Sequence, residues 1–203
     1  MNPLRTTLAL IGLVTTSACT TSPCRTYHHK VTENDVLAAQ YAWKEAIVAI
    51  GKAKDHKKAA REYVETLYAY DLGPVLFKPT KASTNQFRDT KEEAISYFVG
   101  GKEKEDRGFA LAPYVNVRFE NNKIALQGDT ALAMGNYYFM QPNGQEIKVE
   151  YTFGYIEDKD GRLKINLHHS SLPYAGEEQE MKTQNRITCK PYARKANPDQ
   201  RVR

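Results

Sequence analysis

The sequence predicts an α+β fold, with helices in the first half of the chain and a sheet in the second. Before residue 100, apolar residues recur at intervals of three and four, the spacing of a helix that buries one face. From residue 112 apolar and polar residues alternate, as they do in strands with one buried face. Helices followed by an antiparallel meander are typical of an α+β protein, and 203 residues suffice for one domain.

Three helices and one extended segment are predicted before residue 100. Thr32 to Asp35 has capping-box spacing and begins a long helix, whose buried stripe includes Trp43. A second capping box begins at Thr90, and the short helix that follows it stops before Gly100. The predicted helices lie at about 32–51, 55–70 and 90–98, and the extended segment at 75–80.

Five strands are predicted in the second half, separated by turn-forming residues. They lie at about 113–120, 122–128, 130–141, 145–157 and 162–172. The turns are Asn121-Asn122, Gly128-Asp129, 142–144 and 158–161. We expect a strongly bent sheet that curls around the long helix and forms a cone with an internal cavity.

The N-terminus has the features of an export signal. Arg5 precedes the apolar run from Leu8 to Val14, and small residues then lead to Cys19, as in a secretory signal. We therefore expect residues 1–18 to be a signal and residues 19–30 a linker, in an exported bacterial protein. Cys19 is also a candidate for lipid attachment, which would anchor the protein to a membrane. Periplasmic and membrane-anchored forms both stay open.

Two further cysteines, Cys24 and Cys189, flank the predicted domain. Disulfides persist in exported proteins, so we expect these two to pair. A bond across so long a loop would add roughly 4–5 kcal/mol to stability in the chain-entropy model. The alternative is two free thiols in the tails.

The basic character of the chain lies in its C-terminal tail. The net charge is +5, yet residues 182–203 alone carry seven Lys or Arg against one Asp. The predicted domain therefore has no excess of positive charge, and we expect no nucleic-acid partner.

The last predicted strand ends in polar residues that continue an apolar face. By alternation, His169 and Ser171 follow Leu167 on the inner side, and His168 and Ser170 point outward. This predicts a polar floor in an apolar pocket. The alternative is a histidine that serves only the core.

Six segments of the chain resemble the iota-class carbonic anhydrases. That family's domain is similar to the association domain of calcium/calmodulin-dependent kinase II and to the nuclear-transport-factor-2-like, or SnoaL-like, superfamily. The most specific segment is the HHSSLP sequence at 168–173. The matching segments are 31–43, 75–80, 92–101, 133–139, 149–155 and 168–174. The resemblance implies a cone-shaped domain at 31–174 and homodimers that pair through their sheets. Periodicity ends after Tyr174 and basic residues follow, so we expect residues 175–203 to be a basic tail.

The resemblance also implies an activity and a set of site residues. The activity is reversible hydration of carbon dioxide to bicarbonate, with Thr80 and Tyr97 joining His169 and Ser171 in catalysis. Rings expected along the substrate wall are Tyr151, Phe153 and Tyr155. Without the resemblance, Thr80 reads as a turn residue after Pro79 and Tyr97 as a core ring. Two other functions stay open: a non-catalytic binding or assembly module, and another small-molecule lyase or isomerase in the same cavity.

The histidines argue against a zinc site of the usual kind. Neighbouring residues on a strand point to opposite faces, so His168 and His169 cannot both bind one ion, and the other three histidines precede residue 57. A three-histidine site is therefore not available. We expect no metal cofactor, although the resemblance leaves zinc or manganese open.

Overall fold

The structure is a computed structural model that describes residues 30–176, and its element order confirms the α+β prediction. Three helices precede most of the sheet, and a single 3₁₀ turn follows them. The helices are α1 (Glu33–Lys52), α2 (His56–Leu67) and α3 (Lys91–Val99), with the 3₁₀ turn at Phe109–Leu111. The strands are β1 (Leu76–Lys78), β2 (Asn116–Gln127), β3 (Thr130–Met140), β4 (Glu146–Glu157) and β5 (Leu163–Ser171). Cys19, Cys24 and Cys189 lie outside the described residues.

Both predicted capping boxes begin helices. Thr32 accepts a hydrogen bond from the Asp35 backbone N–H, and the Asp35 carboxylate accepts one from the Thr32 N–H at 2.8 Å. Thr90 and Glu93 make the same reciprocal pair at the start of α3. At the other end of α3, Gly100 adopts a φ of 80°, a conformation that disfavours most other residues. These local signals fix where α1 and α3 start and where α3 stops.

The sheet has the strand order β1-β5-β4-β3-β2. Strands β2 to β5 form the expected antiparallel meander. The extended segment after α2 becomes β1, which joins the edge of the sheet parallel to β5. This parallel pair brings Phe77 opposite His168, and so connects the first half of the chain to the last strand.

The prediction of a turn at Asn121-Asn122 is wrong. Residues 116–127 form one strand, and the register moves from Asn121↔Gly135 to Lys123↔Met134, so Asn122 is the extra residue of a β-bulge. A Cβ at Gly135 would lie 2.1 Å from the Glu120 carbonyl oxygen. The backbones approach too closely there for any other residue, so the bulge depends on a glycine in the neighbouring strand.

A second bulge reverses the predicted facing of the last strand. Gly154 pairs with Leu167 and Tyr155 with Ile165, which leaves Asn166 without a partner position in β4. The extra residue shifts the alternation by one. A Cβ at Gly154 would lie 2.8 Å from the Asn166 side-chain oxygen, so glycine makes room for this bulge too.

As a result, His168 and Ser170 face the interior, and the prediction that His169 and Ser171 do so is wrong. His168 is 2% exposed and Ser170 3%, whereas His169 is exposed and Ser171 half-buried. Ile165, before the bulge, also faces inward. The alternation rule holds on each side of the bulge but not across it.

Aromatic rings fill the space between α1 and the inner face of the sheet. Trp43 of α1 stacks on Tyr137 of β3, with ring centres 5.5 Å apart and planes 3° from parallel. The edges of Phe153 and His168 meet the same indole.

No helix within residues 30–176 combines the length and apolar character that crossing a bilayer requires.

Candidate active site

Four hydroxyls and one imidazole meet between the helices and the inner face of the sheet, and they come from four parts of the fold. β5 contributes His168 and Ser170, β3 contributes Tyr137, the loop after β1 contributes Thr80, and α3 contributes Tyr97. The Thr80 and Ser170 hydroxyl oxygens lie 2.8 Å apart, and Thr80 also interacts with the hydroxyls of Tyr97 and Tyr137. Thr80 is therefore the hub of the hydroxyl cluster.

The ring of His168 is held in one orientation by a short hydrogen-bonded chain. The Trp43 indole N–H donates to the Tyr68 hydroxyl at 3.1 Å, and that hydroxyl lies 2.8 Å from His168 Nδ1. An indole nitrogen can only donate, so the Tyr68 oxygen accepts from Trp43 and its own O–H is free to donate. Donation to His168 Nδ1 gives this buried O–H its hydrogen-bond partner. We assign the remaining proton of the neutral imidazole to Nε2, which lies 3.5 Å from the Tyr137 hydroxyl.

His168 is kept neutral by its surroundings. Burial lowers the pKa of His168 well below its usual value, and the nearby charge of His169 acts in the same direction. Phe77 stacks on the imidazole at 4.5 Å, and Phe153 meets it edge-on at 4.4 Å. At neutral pH the group is therefore an imidazole whose Nε2–H donates into the cluster.

The two cluster tyrosines stay protonated as well. Burial raises the pKa of Tyr97, and hydrogen bonds from the Lys81 backbone and Thr80 oppose the rise only in part. Burial likewise raises the pKa of Tyr137, against hydrogen bonds from Ser170 and Thr80. Both phenols can donate a hydrogen bond at neutral pH.

A cavity of about 330 Å³ lies on the Tyr97 side of the cluster. The Tyr97 ring stacks on Phe109 at 5.4 Å. Residues at and around the 3₁₀ turn and charged residues of two loops line the rest of the cavity. These charged residues are Lys81, Glu105, Asp106 and Arg107. Of the five cluster residues, Tyr97 is the one that lines this cavity.

Comparison with known proteins shows the family of this chain. The family model described as metal-independent carbonic anhydrase matches residues 34–172. The chain belongs to that family. A metal-independent carbonic anhydrase of Nostoc sp. (strain PCC 7120 / SAG 25.82 / UTEX 2576) is 44% identical over 153 residues, which are 71% of this chain and 75% of that protein. The expectation of an iota-class carbonic anhydrase is thereby confirmed.

Solved structures give the same result for the fold. The chain is similar to the crystal structure of a cyanobacterial iota-carbonic anhydrase complexed with bicarbonate, with a TM-score of 0.70 and 42% identity over 72% of this chain and 95% of that one. A calcium/calmodulin-dependent protein kinase II association domain from Xanthomonas campestris, itself described as putative in function, has a TM-score of 0.50 and 24% identity over 72% of this chain and 91% of that one. The second likeness concerns the fold alone.

Four catalytic residues were expected from the sequence. The structure places Thr80 and Tyr97 in the interior cluster and leaves His169 and Ser171 outside it. Ser171 donates a hydrogen bond to Glu150 at 3.2 Å on the outer face of the sheet. His169 lies opposite Thr152 on that same face. The bulge at Asn166 is the physical reason, because it exchanges the two faces between Ile165 and His168.

The three expected wall residues all point inward but lie in different surroundings. Phe153 contacts the His168 ring. Tyr151 instead hydrogen bonds with Asn121 and Gln40, and burial raises its pKa to about 12. Tyr155 is fully buried beside Phe153. Among these three, only Phe153 is shown in contact with the cluster imidazole.

Sequence reasoning missed Tyr137 and Tyr68. Alternation in β3 puts Tyr137 on the inner face together with Ala133 and Phe139, so the pattern could have identified it. Tyr68 directly follows α2, and its hydroxyl reaches the site across 100 residues of sequence. No pattern in the residues around Tyr68 predicts its contact with His168.

The cluster does not fit a zinc or manganese ion. Within residues 30–176, no group of three or more His, Cys, Asp or Glu side chains is placed to hold a metal. The cluster supplies one imidazole, and its other groups are alcohols and protonated phenols. Such neutral hydroxyls are poor substitutes for the thiolate, imidazole and carboxylate ligands that bind these ions.

Proposed function

We propose that this protein catalyses the reversible hydration of carbon dioxide to bicarbonate, without a metal ion, in the cluster around Thr80 and Ser170. The observation that carries the proposal is the convergence of Thr80, Tyr97, Tyr137, His168 and Ser170, with Tyr97 lining a cavity of about 330 Å³. The likeness to an iota-carbonic anhydrase complexed with bicarbonate supports the same substrate.

The cluster offers what the reaction needs at its oxygens. Water attacks the carbon of carbon dioxide and loses one proton, while negative charge grows on the two original oxygens. His168 Nε2–H and the phenol of Tyr137 are neutral donors that can stabilise this charge from fixed positions. Because aromatic rings enclose His168, this stabilisation is less weakened by solvent than at a surface.

The Thr80–Ser170 pair orients the attacking water and removes its proton. Each hydroxyl can accept one hydrogen bond while donating another, so a proton taken by Ser170 is matched by one passed from Ser170 to Thr80, and from there to Tyr97. The released proton reaches water or buffer in the cavity that Tyr97 lines. Every hydroxyl ends with the proton count it started with. His168 is a donor in this scheme and not the base, because Tyr68 occupies its Nδ1.

Chelation tests the metal-free part of the proposal. The purified protein is dialysed against a chelator, its residual metal is measured by mass spectrometry, and hydration is followed by stopped flow with a pH indicator. We expect full activity at metal contents far below one ion per chain, and no increase with added zinc or manganese. Activity that vanishes on chelation and returns with either metal would refute this part. No acceleration above buffer under any condition would refute the activity itself and favour a binding module.

We further propose a homodimer that pairs through the outer face of the sheet. An apolar row crosses all five strands on that face: Leu76, Leu167, Gly154, Leu132 and Ala125 occupy successive paired positions. Leu76 is 65% exposed and Leu132 46%, and a second copy would cover them. Light scattering should give twice the chain mass for the wild type, and a Leu132→Lys variant should shift towards the monomer mass. A monomeric wild type would refute this proposal.

Export, a lipid on Cys19 and a disulfide between Cys24 and Cys189 complete the proposed form of the protein. Their support is the order of charged, apolar and small residues before Cys19 and the position of the other two cysteines on either side of the domain. Intact mass of protein purified from membranes would reveal the lipid and the disulfide together. An unprocessed N-terminus would refute the lipid, and alkylation of both Cys24 and Cys189 without prior reduction would refute the disulfide.

A further inference from the structure

The hub of the cluster lies on a loop that the sheet does not hold. The last paired residue of β1 is Lys78, opposite His169, and Thr80 comes two residues later, in the connection to α3. Its hydroxyl nevertheless lies 2.8 Å from Ser170. The position of Thr80 therefore depends on whatever fixes the connecting loop at 79–89.

One carboxylate holds the middle of that loop. Glu105, on the loop after α3, accepts hydrogen bonds from the backbone N–H groups of Ser83, Thr84 and Asn85 at 2.9, 3.0 and 2.9 Å, and from the Ser83 hydroxyl at 2.7 Å. These hydrogen bonds lower the pKa of Glu105 to about 2, and the one from the Thr84 backbone contributes most. Three successive N–H groups that converge on an anion form a nest, and here the anion is part of the protein.

A buried ion pair holds the end of the same loop. The Arg88 guanidinium has no exposed surface and donates to Asp106 at 2.6 Å, and to the backbone carbonyls of Asn85 and Phe87 at 2.5 and 2.9 Å. The Arg88 backbone N–H donates to the Phe77 carbonyl at 2.9 Å, which closes the loop onto β1. The loop is thus tied at its middle and at its end to the segment that carries Glu105 and Asp106.

The ion pair is a poor choice for stability alone. Burying two charges costs free energy that their attraction often fails to recover. Within the described part of the chain, Arg88 Nε and Asp106 Oδ2 are also buried without hydrogen-bond partners. A well-packed apolar contact would hold the same space at less cost, which points to a requirement for position.

We propose that Glu105 and the Arg88–Asp106 pair are positioning residues for catalysis, which act by holding the 79–89 loop so that Thr80 stays against Ser170. This inference rests on the proposed hydration reaction. Glu105 and Asp106 also line the cavity beside Tyr97, so the test follows the position of Thr80 as well as the rate. A misplacement of about 1 Å in a reacting group can cost roughly 100-fold in rate, so a loosened loop would slow the reaction without emptying the site.

The test is Glu105→Gln, with Glu103→Gln as its matched control. Glu103 lies on the same loop as Glu105. Among the hydrogen bonds of residues 30–176, its carboxylate makes none to the 79–89 loop, and its backbone N–H donates to Ser96. Glu105→Gln retains one carbonyl oxygen for four donors, so we expect kcat to fall about tenfold, less than the roughly 100-fold of a full misplacement. KM should change less than kcat, and Glu103→Gln should match the wild type.

A crystal structure of Glu105→Gln separates positioning from other roles. We expect the Thr80–Ser170 distance to exceed hydrogen-bonding range or the 79–89 loop to lose order. Unchanged kcat would overturn the inference, and so would a reduced kcat with Thr80 still seated against Ser170. Should Glu105→Gln fail to fold, Ser83→Ala removes one of its donors more gently, and we expect a loss of about twofold in kcat there. An inactive wild type would instead refute the proposed function, so the two failures are distinguishable.

Discussion

Replacing the two serines of β5 one at a time provides a matched test of the site. Ser170→Ala and Ser171→Ala remove the same hydroxyl from adjacent positions of one strand, on opposite faces of the sheet. Ser170 lies 2.8 Å from the Thr80 hydroxyl and also bonds to Tyr137. The hydrogen bond found for the Ser171 hydroxyl within residues 30–176 is the one to the Glu150 carboxylate, near the surface.

The expected losses differ by orders of magnitude. A positioned group that takes a proton from the reacting water contributes about 10²- to 10⁴-fold to the rate, and we expect a loss of kcat in that range for Ser170→Ala. The same change removes one partner each from Thr80 and Tyr137, which keep their interaction with each other, so we expect a loss of stability of about 1 kcal/mol, as for one hydrogen bond. Ser171→Ala should change stability by no more than about 0.5 kcal/mol, as at other surface positions, and kcat by less than twofold.

Stopped-flow hydration of carbon dioxide measures kcat, and urea unfolding followed by circular dichroism measures stability. Activity is compared at temperatures where both variants are fully folded, so that lost rate does not reflect lost protein. Equal effects of the two substitutions, or a greater loss for Ser171→Ala, would refute the reversed facing of β5 and with it the assignment of the cluster.

Two further predictions concern the imidazole. Tyr68→Phe keeps the ring but removes the donor to His168 Nδ1, so the proton of the imidazole is no longer confined to Nε2. We expect kcat to fall about 10-fold, which corresponds to roughly 1.4 kcal/mol, and we expect the ¹⁵N NMR shifts of His168 to show a mixture of tautomers. Unchanged nitrogen shifts would contradict the assignment. Because burial lowers the pKa of His168 in the folded state, the unfolded state binds more protons below about pH 6.5. Stability should therefore fall as pH drops below that value, by up to about 1.4 kcal/mol per pH unit, and the fall should be shallower in His168→Gln but not in His169→Gln. Identical pH slopes in all three proteins would count against a buried neutral His168.

Local patterns predicted those parts of the fold that local interactions determine. The capping boxes at Thr32 and Thr90 involve residues three apart, so the sequence shows both partners at once. The stripe around Trp43 and the alternation in β3 and β4 likewise follow from the periods of a helix and a strand. Thr80 and Tyr97 were found through resemblance to a family and not from pattern, since nothing near either residue distinguishes it from a turn or core residue.

The facing of β5 could not be predicted in this way, because a bulge is a property of two strands. Whether Asn166 pairs or is skipped depends on the register with β4 and on the space that Gly154 leaves. The first bulge, at Asn122, depends in the same way on Gly135 in β3. In both cases the sequence shows an ordinary polar residue and an ordinary glycine far apart.

The sequence by itself therefore determined the helices, the meander, the family and the identity of the strand that carries the site. Only the tertiary structure decided which histidine and which serine of HHSSLP face the interior, and that Tyr68 and Trp43 set the tautomer of His168. The physical reason is one of range. Periodicity records what a residue does relative to its own neighbours, whereas register, burial and the resulting loss of charge depend on partners that may lie 100 residues away.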